Sequence, residues 1–178
     1  MKTFIKIIEK ITNVFGLIAG TTMLLGVALI IIEIVLRKVF DSTIYITEEY
    51  IAYFLVSISF FSLAYTLKED GHIRVNFLFN VIKEPKKRIV MDVYSFIVGL
   101  IVFSIITIVT ANFFWDSVLM KTQSLQISRT YLAIPQSTIP IGSLIITLQF
   151  AAEICKSIIK FHGNRDRNYT KSFQEMGR

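Results

Sequence analysis

The chain has 178 residues, 53% of them hydrophobic, and it carries a formal net charge of +6. A soluble core of this length does not need so many apolar side chains, so the composition excludes an ordinary soluble domain. The basic residues cluster at the ends of apolar runs, which indicates membrane topology and argues against a nucleic-acid partner. The single cysteine, Cys155, excludes a disulfide within the chain.

Four apolar runs are long enough to cross a bilayer as helices. They cover about residues 14–36, 46–67, 89–114 and 139–159. We therefore predict an all-α integral membrane protein with four transmembrane helices and short interfacial helices, in a single membrane domain over residues 1–178. A polar, loosely ordered tail is expected over residues 162–178. Fifteen of the 19 Lys and Arg residues fall in the N-terminal segment, the second connection and the tail, so the positive-inside rule predicts that both termini are cytoplasmic.

The first span has polar features at both of its ends. Residues 2–12 predict either a helix lying on the cytoplasmic leaflet or an extension of the span. Gly16 and Gly20 form a Gly-x-x-x-Gly pair, which permits the close approach of another helix. At the other end Glu33 precedes Arg37 by four residues, so the two side chains can pair on one face of the helix.

The second span begins with a polar turn and leads into a polar connection. Thr47 is placed to cap this helix, and Glu48 and Glu49 lie in its first turn, where the helix dipole favours carboxylates. The connection that follows is predicted to turn at Gly71. Residues 77–82 are apolar but too few to cross the membrane, so we expect an interfacial segment there.

The second half of the chain contains one further outer segment and the fourth span. Residues 115–130 carry a short apolar stripe, which predicts an amphipathic helix along the outer surface. Pro135 and Pro140 then lead into the fourth span. Their position is compatible with a helix start, because proline is tolerated in a first helical turn. Near the inner end of this span, Glu153 and Lys156 are spaced to form an ion pair.

The sequence lacks the motifs of several enzyme and cofactor classes. It contains no Walker loop, no Cys/His cluster with metal-binding spacing and no Ser–His–Asp arrangement. His72 and His162 fall in polar segments, which does not suit the ligands of a haem buried in the membrane. The centres of the spans carry no ionisable residue, whereas a carrier needs a polar site there. We therefore expect a helper subunit with no enzyme activity and no cofactor.

Four motifs, in order along the chain, carry a resemblance to a known family. They are Glu33-x-x-x-Arg37-Lys-Val-Phe40, Thr47-Glu48-Glu49, Gly71-His72-Ile73-Arg74-Val75, and Ile134-Pro135 followed by Ile139-Pro140-Ile141-Gly142. With these motifs, the chain resembles the small membrane subunit of tripartite ATP-independent periplasmic (TRAP) transporters, the DctQ-type family. It departs from the family pattern at Ile46, Ala52 and Asn76, where an aromatic residue, an arginine and an acidic residue are usual.

The resemblance implies a scaffold role in the bacterial inner membrane. Such a subunit pairs with a large permease subunit, which holds the substrate and sodium sites, and a periplasmic substrate-binding protein docks transiently. The substrates of the family are mostly carboxylates, such as C4-dicarboxylates and sialic acids. The residues that the resemblance suggests for structural support or partner contact lie at two ends of the molecule. They are Glu33, Arg37, Glu48 and Glu49 at the periplasmic end, and Gly71, His72, Arg74 and Asn76 at the cytoplasmic end.

Two other functions remain open at this point. A stand-alone four-helix exporter of the small multidrug type is usually built around a carboxylate deep in its first span. Glu33 lies close to the end of the span, and the chain is longer than such exporters need. A membrane anchor of a redox complex would require haem, which an absorbance spectrum would detect.

Overall fold

The computed structural model describes the backbone of residues 2–69 and 85–176 and the side chains of residues 3–69 and 91–159. The described residues form helices joined by turns. One isolated antiparallel β-bridge pairs Gln123 with Tyr131. The helices are α1 (Lys2–Phe40), α2 (Thr47–Lys68), α3 (Pro85–Leu119), α4 (Ala133–Gln136) and α5 (Thr138–Met176).

Four helical segments are long and apolar enough to cross a membrane, which confirms the predicted fold class. They are Thr3–Phe40, Thr47–Lys68, Met91–Leu119 and Ala133–Ile159. Helix α1 has 39 residues and is therefore about 58 Å long at 1.5 Å per residue. A hydrocarbon core of about 30 Å accommodates roughly half of that length, so α1 extends well beyond one face of the bilayer. The cytoplasmic position of the termini stays a prediction.

Helix α5 is the centre of the bundle. It packs on α3, on α2 and, less extensively, on α1, while α1 packs mainly on α2. The buried core lies between α2 and α5 and consists of Ala64, Leu67, Ile145, Ile146 and Phe150. This order leaves α1 and α3 at the edges of the bundle.

Three glycines differ in what surrounds them. A Cβ atom added to Gly142 would lie 2.7 Å from the carbonyl oxygen of Phe60, so the α5 backbone passes directly against α2. Gly16 is also close to another helix, because a Cβ there would lie 2.7 Å from the ring of Tyr65. Gly20, the other half of the predicted pair, has open space around it. Of the predicted pair, Gly16 therefore provides a close helix contact and Gly20 does not.

The structure decides one open local prediction and differs from two others. Residues 2–12 continue α1 as a helix, which selects the second of the two readings of that segment. The amphipathic helix predicted over residues 115–130 is wrong beyond Leu119, because Lys121 and Arg129 adopt positive φ angles of 49° and 47°. Finally, α5 continues to Met176, whereas the sequence predicted a loosely ordered tail.

Candidate functional site: two loops held by buried carboxylates

Two connections lie together at one end of the bundle, which we call the loop end. The elbow, residues 41–46, joins α1 to α2, and the outer loop, residues 120–132, joins α3 to α4. Each of the two is attached to the helices by one glutamate. These residues, Glu33 and Glu49, are only 8% and 9% exposed.

Glu33 accepts four hydrogen bonds, and three of them come from the elbow and the start of α2. The Arg37 guanidinium donates from 2.8 Å and the Thr43 hydroxyl from 2.6 Å. The backbone N–H of Ile44 donates from 2.9 Å and the Thr47 hydroxyl from 3.2 Å. Because an ionised carboxylate is a strong acceptor on both oxygens, this one side chain holds the elbow against the last turns of α1.

The local sequence explains why the elbow folds back towards Glu33. Helix α1 stops where Asp41 adopts a positive φ of 47°, a conformation that aspartate tolerates better than most residues. The N–H of Ser42 then donates to the Leu36 carbonyl, which directs the chain back along the helix. Thr47 does not cap α2, in contrast to the prediction, since Ile46 is the N-cap residue and the Thr47 hydroxyl is used by Glu33.

Glu49 holds the outer loop in a comparable way. Its carboxylate accepts hydrogen bonds from the hydroxyls of Tyr53 and Ser128, and Ser128 lies 79 residues further along the chain. The Ser128 hydroxyl in turn accepts the backbone N–H of Thr130 at 3.1 Å. The loop is closed further by Tyr131, whose hydroxyl donates to the Val118 carbonyl at 2.9 Å. The start of α2 is therefore fixed to the loop between α3 and α4.

The remaining predicted site residues fall into two groups. Glu48 and the Arg37 side chain, which is 66% exposed, reach the surface of the loop end, and the predicted Glu33–Arg37 ion pair is present at 2.8 Å. The residues predicted for the other end lie outside the described part of the chain. They are Gly71, His72, Arg74 and Asn76.

A second polar network lies at the opposite end of the bundle. The fully buried Gln149 accepts a hydrogen bond from Thr12 at 2.9 Å and donates to Glu153 at 2.8 Å. Lys156 lies 2.7 Å from Glu153, as predicted, and also 2.7 Å from Glu9 on α1. Sequence reasoning missed the parts played by Gln149 and Glu9, since the Thr12–Gln149 and Glu9–Lys156 contacts join residues far apart along the chain. This network joins α1 to α5, and its polar groups satisfy one another.

The polar groups at both ends form structural contacts between segments of the chain. Among the described residues, no group of three or more His, Cys, Asp or Glu side chains has a metal-binding arrangement. Glu33, Glu49 and Glu153 each accept hydrogen bonds from another segment of the same chain or from a neighbouring turn. What the arrangement provides is a fixed geometry for the ends of the helices.

A model of a known protein family matches the chain. The family model described as Tripartite ATP-independent periplasmic transporters, DctQ component, matches residues 26–159. This region is about three quarters of the chain and contains the elbow, the outer loop and both loop-holding carboxylates. A search of curated proteins found no match.

Proposed function

The chain belongs to the DctQ family of tripartite ATP-independent periplasmic transporters, and from that premise we propose that it is a small, non-catalytic scaffold subunit. In this proposal it supports a large permease subunit in the bacterial inner membrane and carries no solute itself. A periplasmic binding protein delivers the substrate to the assembled pair. The transported solute is a carboxylate, such as a sialic acid or a C4-dicarboxylate, and its uptake is coupled to sodium.

The observation that carries the proposal is the set of hydrogen bonds that the charged side chains accept. A carrier needs polar groups that can exchange their partners when a solute enters and leaves. The carboxylates of Glu33 and Glu49 instead accept several hydrogen bonds each, from the elbow and from the outer loop. Groups committed to fixed contacts of this kind suit a rigid support.

The outward faces of the edge helices supply the surface that a scaffold needs. On α1, Leu17 and Leu24 are more than 70% exposed, and on α3, Ile105 and Ile108 are about 60% exposed. Apolar surface of this extent has to face lipid or another membrane protein. A large permease subunit docked on one of these faces would still leave the other in contact with lipid.

Reconstitution into proteoliposomes tests the proposal. We expect no sodium-driven uptake of labelled carboxylates by this chain alone. Uptake should appear when the large subunit and the binding protein encoded with it are added, and omission of this chain should abolish it. Sodium-driven uptake by this chain without those partners would overturn the proposal.

The exporter alternative makes the opposite prediction for one residue. In an exporter, Glu33→Gln would abolish proton-coupled export by the chain alone, because the carboxylate would carry the proton. Against this alternative, Glu33 already accepts four hydrogen bonds near the end of its helix. In the scaffold proposal, Glu33→Gln acts instead through the stability of the elbow and through assembly with the permease.

A further inference from the structure

An open groove with a volume of about 730 Å³ lies at the loop end, beside the elbow. The end of α1 forms one of its walls and the first turns of α2 form another, while the tip of the outer loop adds Gln126 and Ile127. Ile127 is 74% exposed, although it lies beside other apolar side chains. None of the loop contacts described above fills this groove.

The lining of the groove changes from apolar to charged along the helix axes. Ile30 and Ile34 line the groove on α1, and they precede Lys38 by eight and four residues. At 1.5 Å per residue they lie about 12 Å and 6 Å closer to the middle of the membrane than Lys38 does. On α2, Ile51 likewise lies about 4.5 Å deeper than Glu48. The apolar part of the groove therefore faces the hydrocarbon region, and the charged part faces the headgroups.

Two exposed side chains of opposite charge stand at the mouth of the groove. Lys38 supplies an ammonium group and Glu48 a carboxylate, and both residues are exposed. Arg37 lines the groove as well, but its guanidinium donates to Glu33. A ligand for this mouth should thus carry an anionic group for Lys38 and a cationic group that donates hydrogen bonds to Glu48.

We propose that this groove binds one phospholipid whose headgroup carries both a phosphate and a primary ammonium, that is, a phosphatidylethanolamine. One acyl chain lies along Ile30 and Ile34, the phosphate meets Lys38, and the ammonium donates to Glu48. The bilayer supplies such a molecule with the same order of apolar and charged parts that the groove presents. An anionic lipid without an amine would place its charge near Glu48, and a quaternary ammonium has no N–H to donate.

Lipid retention by the full chain tests this proposal. The protein is reconstituted into vesicles of equal parts phosphatidylethanolamine, phosphatidylglycerol and phosphatidylcholine with identical acyl chains, and is then extracted into detergent. Native mass spectrometry counts the lipids that remain bound. We expect one retained lipid, predominantly phosphatidylethanolamine. Lys38→Gln and Glu48→Gln should each lower its retention several-fold, and Glu48→Gln should also remove the preference over phosphatidylglycerol.

Matched variants separate the groove from general surface charge. Lys121→Gln and Asp116→Asn make the same charge changes at exposed positions of the loop end that do not line the groove, and they should leave retention unchanged. Ile34→Trp should block the acyl-chain position, whereas Ile31→Trp, on the exposed surface outside the groove, should not. Equal losses in the groove variants and their controls would overturn the proposal.

Two further outcomes would also overturn it. Equal retention of all three lipids would mean that Lys38 and Glu48 do not recognise a headgroup. Absence of any retained lipid on the unaltered chain, together with loss of permease assembly in Ile34→Trp, would assign the groove to a segment of a partner protein. Neither result would affect the scaffold proposal, which the uptake experiment tests separately.

Discussion

Glu33 and Glu48 carry the same charge at the same end of the bundle, but their surroundings differ. Glu33 is 8% exposed and accepts hydrogen bonds from the elbow, whereas Glu48 is exposed on the first turn of α2. A neutral amide in place of Glu33 would present two donor hydrogens to groups that are themselves donors. The two glutamates should therefore respond differently to the same substitution.

Glu33→Gln should lower the midpoint of thermal unfolding in lipid-free detergent, and Glu48→Gln should leave it nearly unchanged. The cause is the loss of ionic acceptors for Thr43, Ile44 and Arg37, since bonds to a charged group are the stronger ones. Circular dichroism during heating measures both variants. If both midpoints fall equally, the elbow does not depend on the Glu33 carboxylate.

The sequence predicts part of this site, and there is a physical reason why it does not predict the rest. The Glu33–Arg37 pair follows from helical spacing, because residues four apart lie on one face. The bonds from Thr43 and Ile44 do not follow, because they require the chain to reverse after Asp41. Hydrophobic periodicity carries no information about a positive φ angle at a single aspartate.

At the scale of the elements, the close packing of α2 against α5 requires a glycine at position 142. Gly142→Ala should destabilise the bundle by about 1–3 kcal/mol, the usual cost of overpacking, because the new Cβ would lie 2.7 Å from the Phe60 carbonyl oxygen. Gly20→Ala is the matched control, since a Cβ at Gly20 meets open space. Unfolding by denaturant in detergent micelles measures the two free energies. Equal stability of the two variants would contradict this packing.

The attachment of the outer loop to α2 can be measured by proteolysis. Ser128 is held by Glu49, and its neighbour Arg129 is an exposed trypsin site. We expect trypsin to cut after Arg129 several times faster in Glu49→Gln, because a weaker acceptor lets the loop open more often. Glu48→Gln is the control, and its cutting rate should match the unaltered chain. Mass spectrometry of the early fragments identifies the cut site.

The helices themselves were easier to predict than their ends. Long apolar runs give four spans in the sequence, and the structure has four helical segments able to cross a membrane. The end of α3 was predicted wrongly, since the apolar stripe over residues 115–130 continues beyond the turn at Lys121. The ends are fixed by backbone conformation and by partners such as Glu49, which come from elsewhere in the chain.

At the scale of the whole molecule, α5 lies at the centre of the bundle and α1 and α3 lie at its edges. Helix α5 contributes three of the five residues of the buried core, while α1 and α3 expose apolar side chains along their lengths. Both ends are fixed by polar contacts, at Glu33 and Glu49 on one side and at Gln149 on the other. A bundle that is fixed at its ends and apolar along its edges suits a subunit against which another protein moves.

The charge distribution predicts the orientation of this bundle in the membrane, and cysteine labelling can measure it. In a Cys155→Ser background, Leu125→Cys places a thiol on the fully exposed tip of the outer loop, and Lys10→Cys places one near the N-terminus. A membrane-impermeant maleimide added to spheroplasts should label the first variant and not the second, because the basic segments are retained in the cytoplasm. Inverted vesicles should give the reverse pattern. Labelling of Lys10→Cys in intact spheroplasts would mean that the bundle has the opposite orientation, and the elbow could not then face a periplasmic partner.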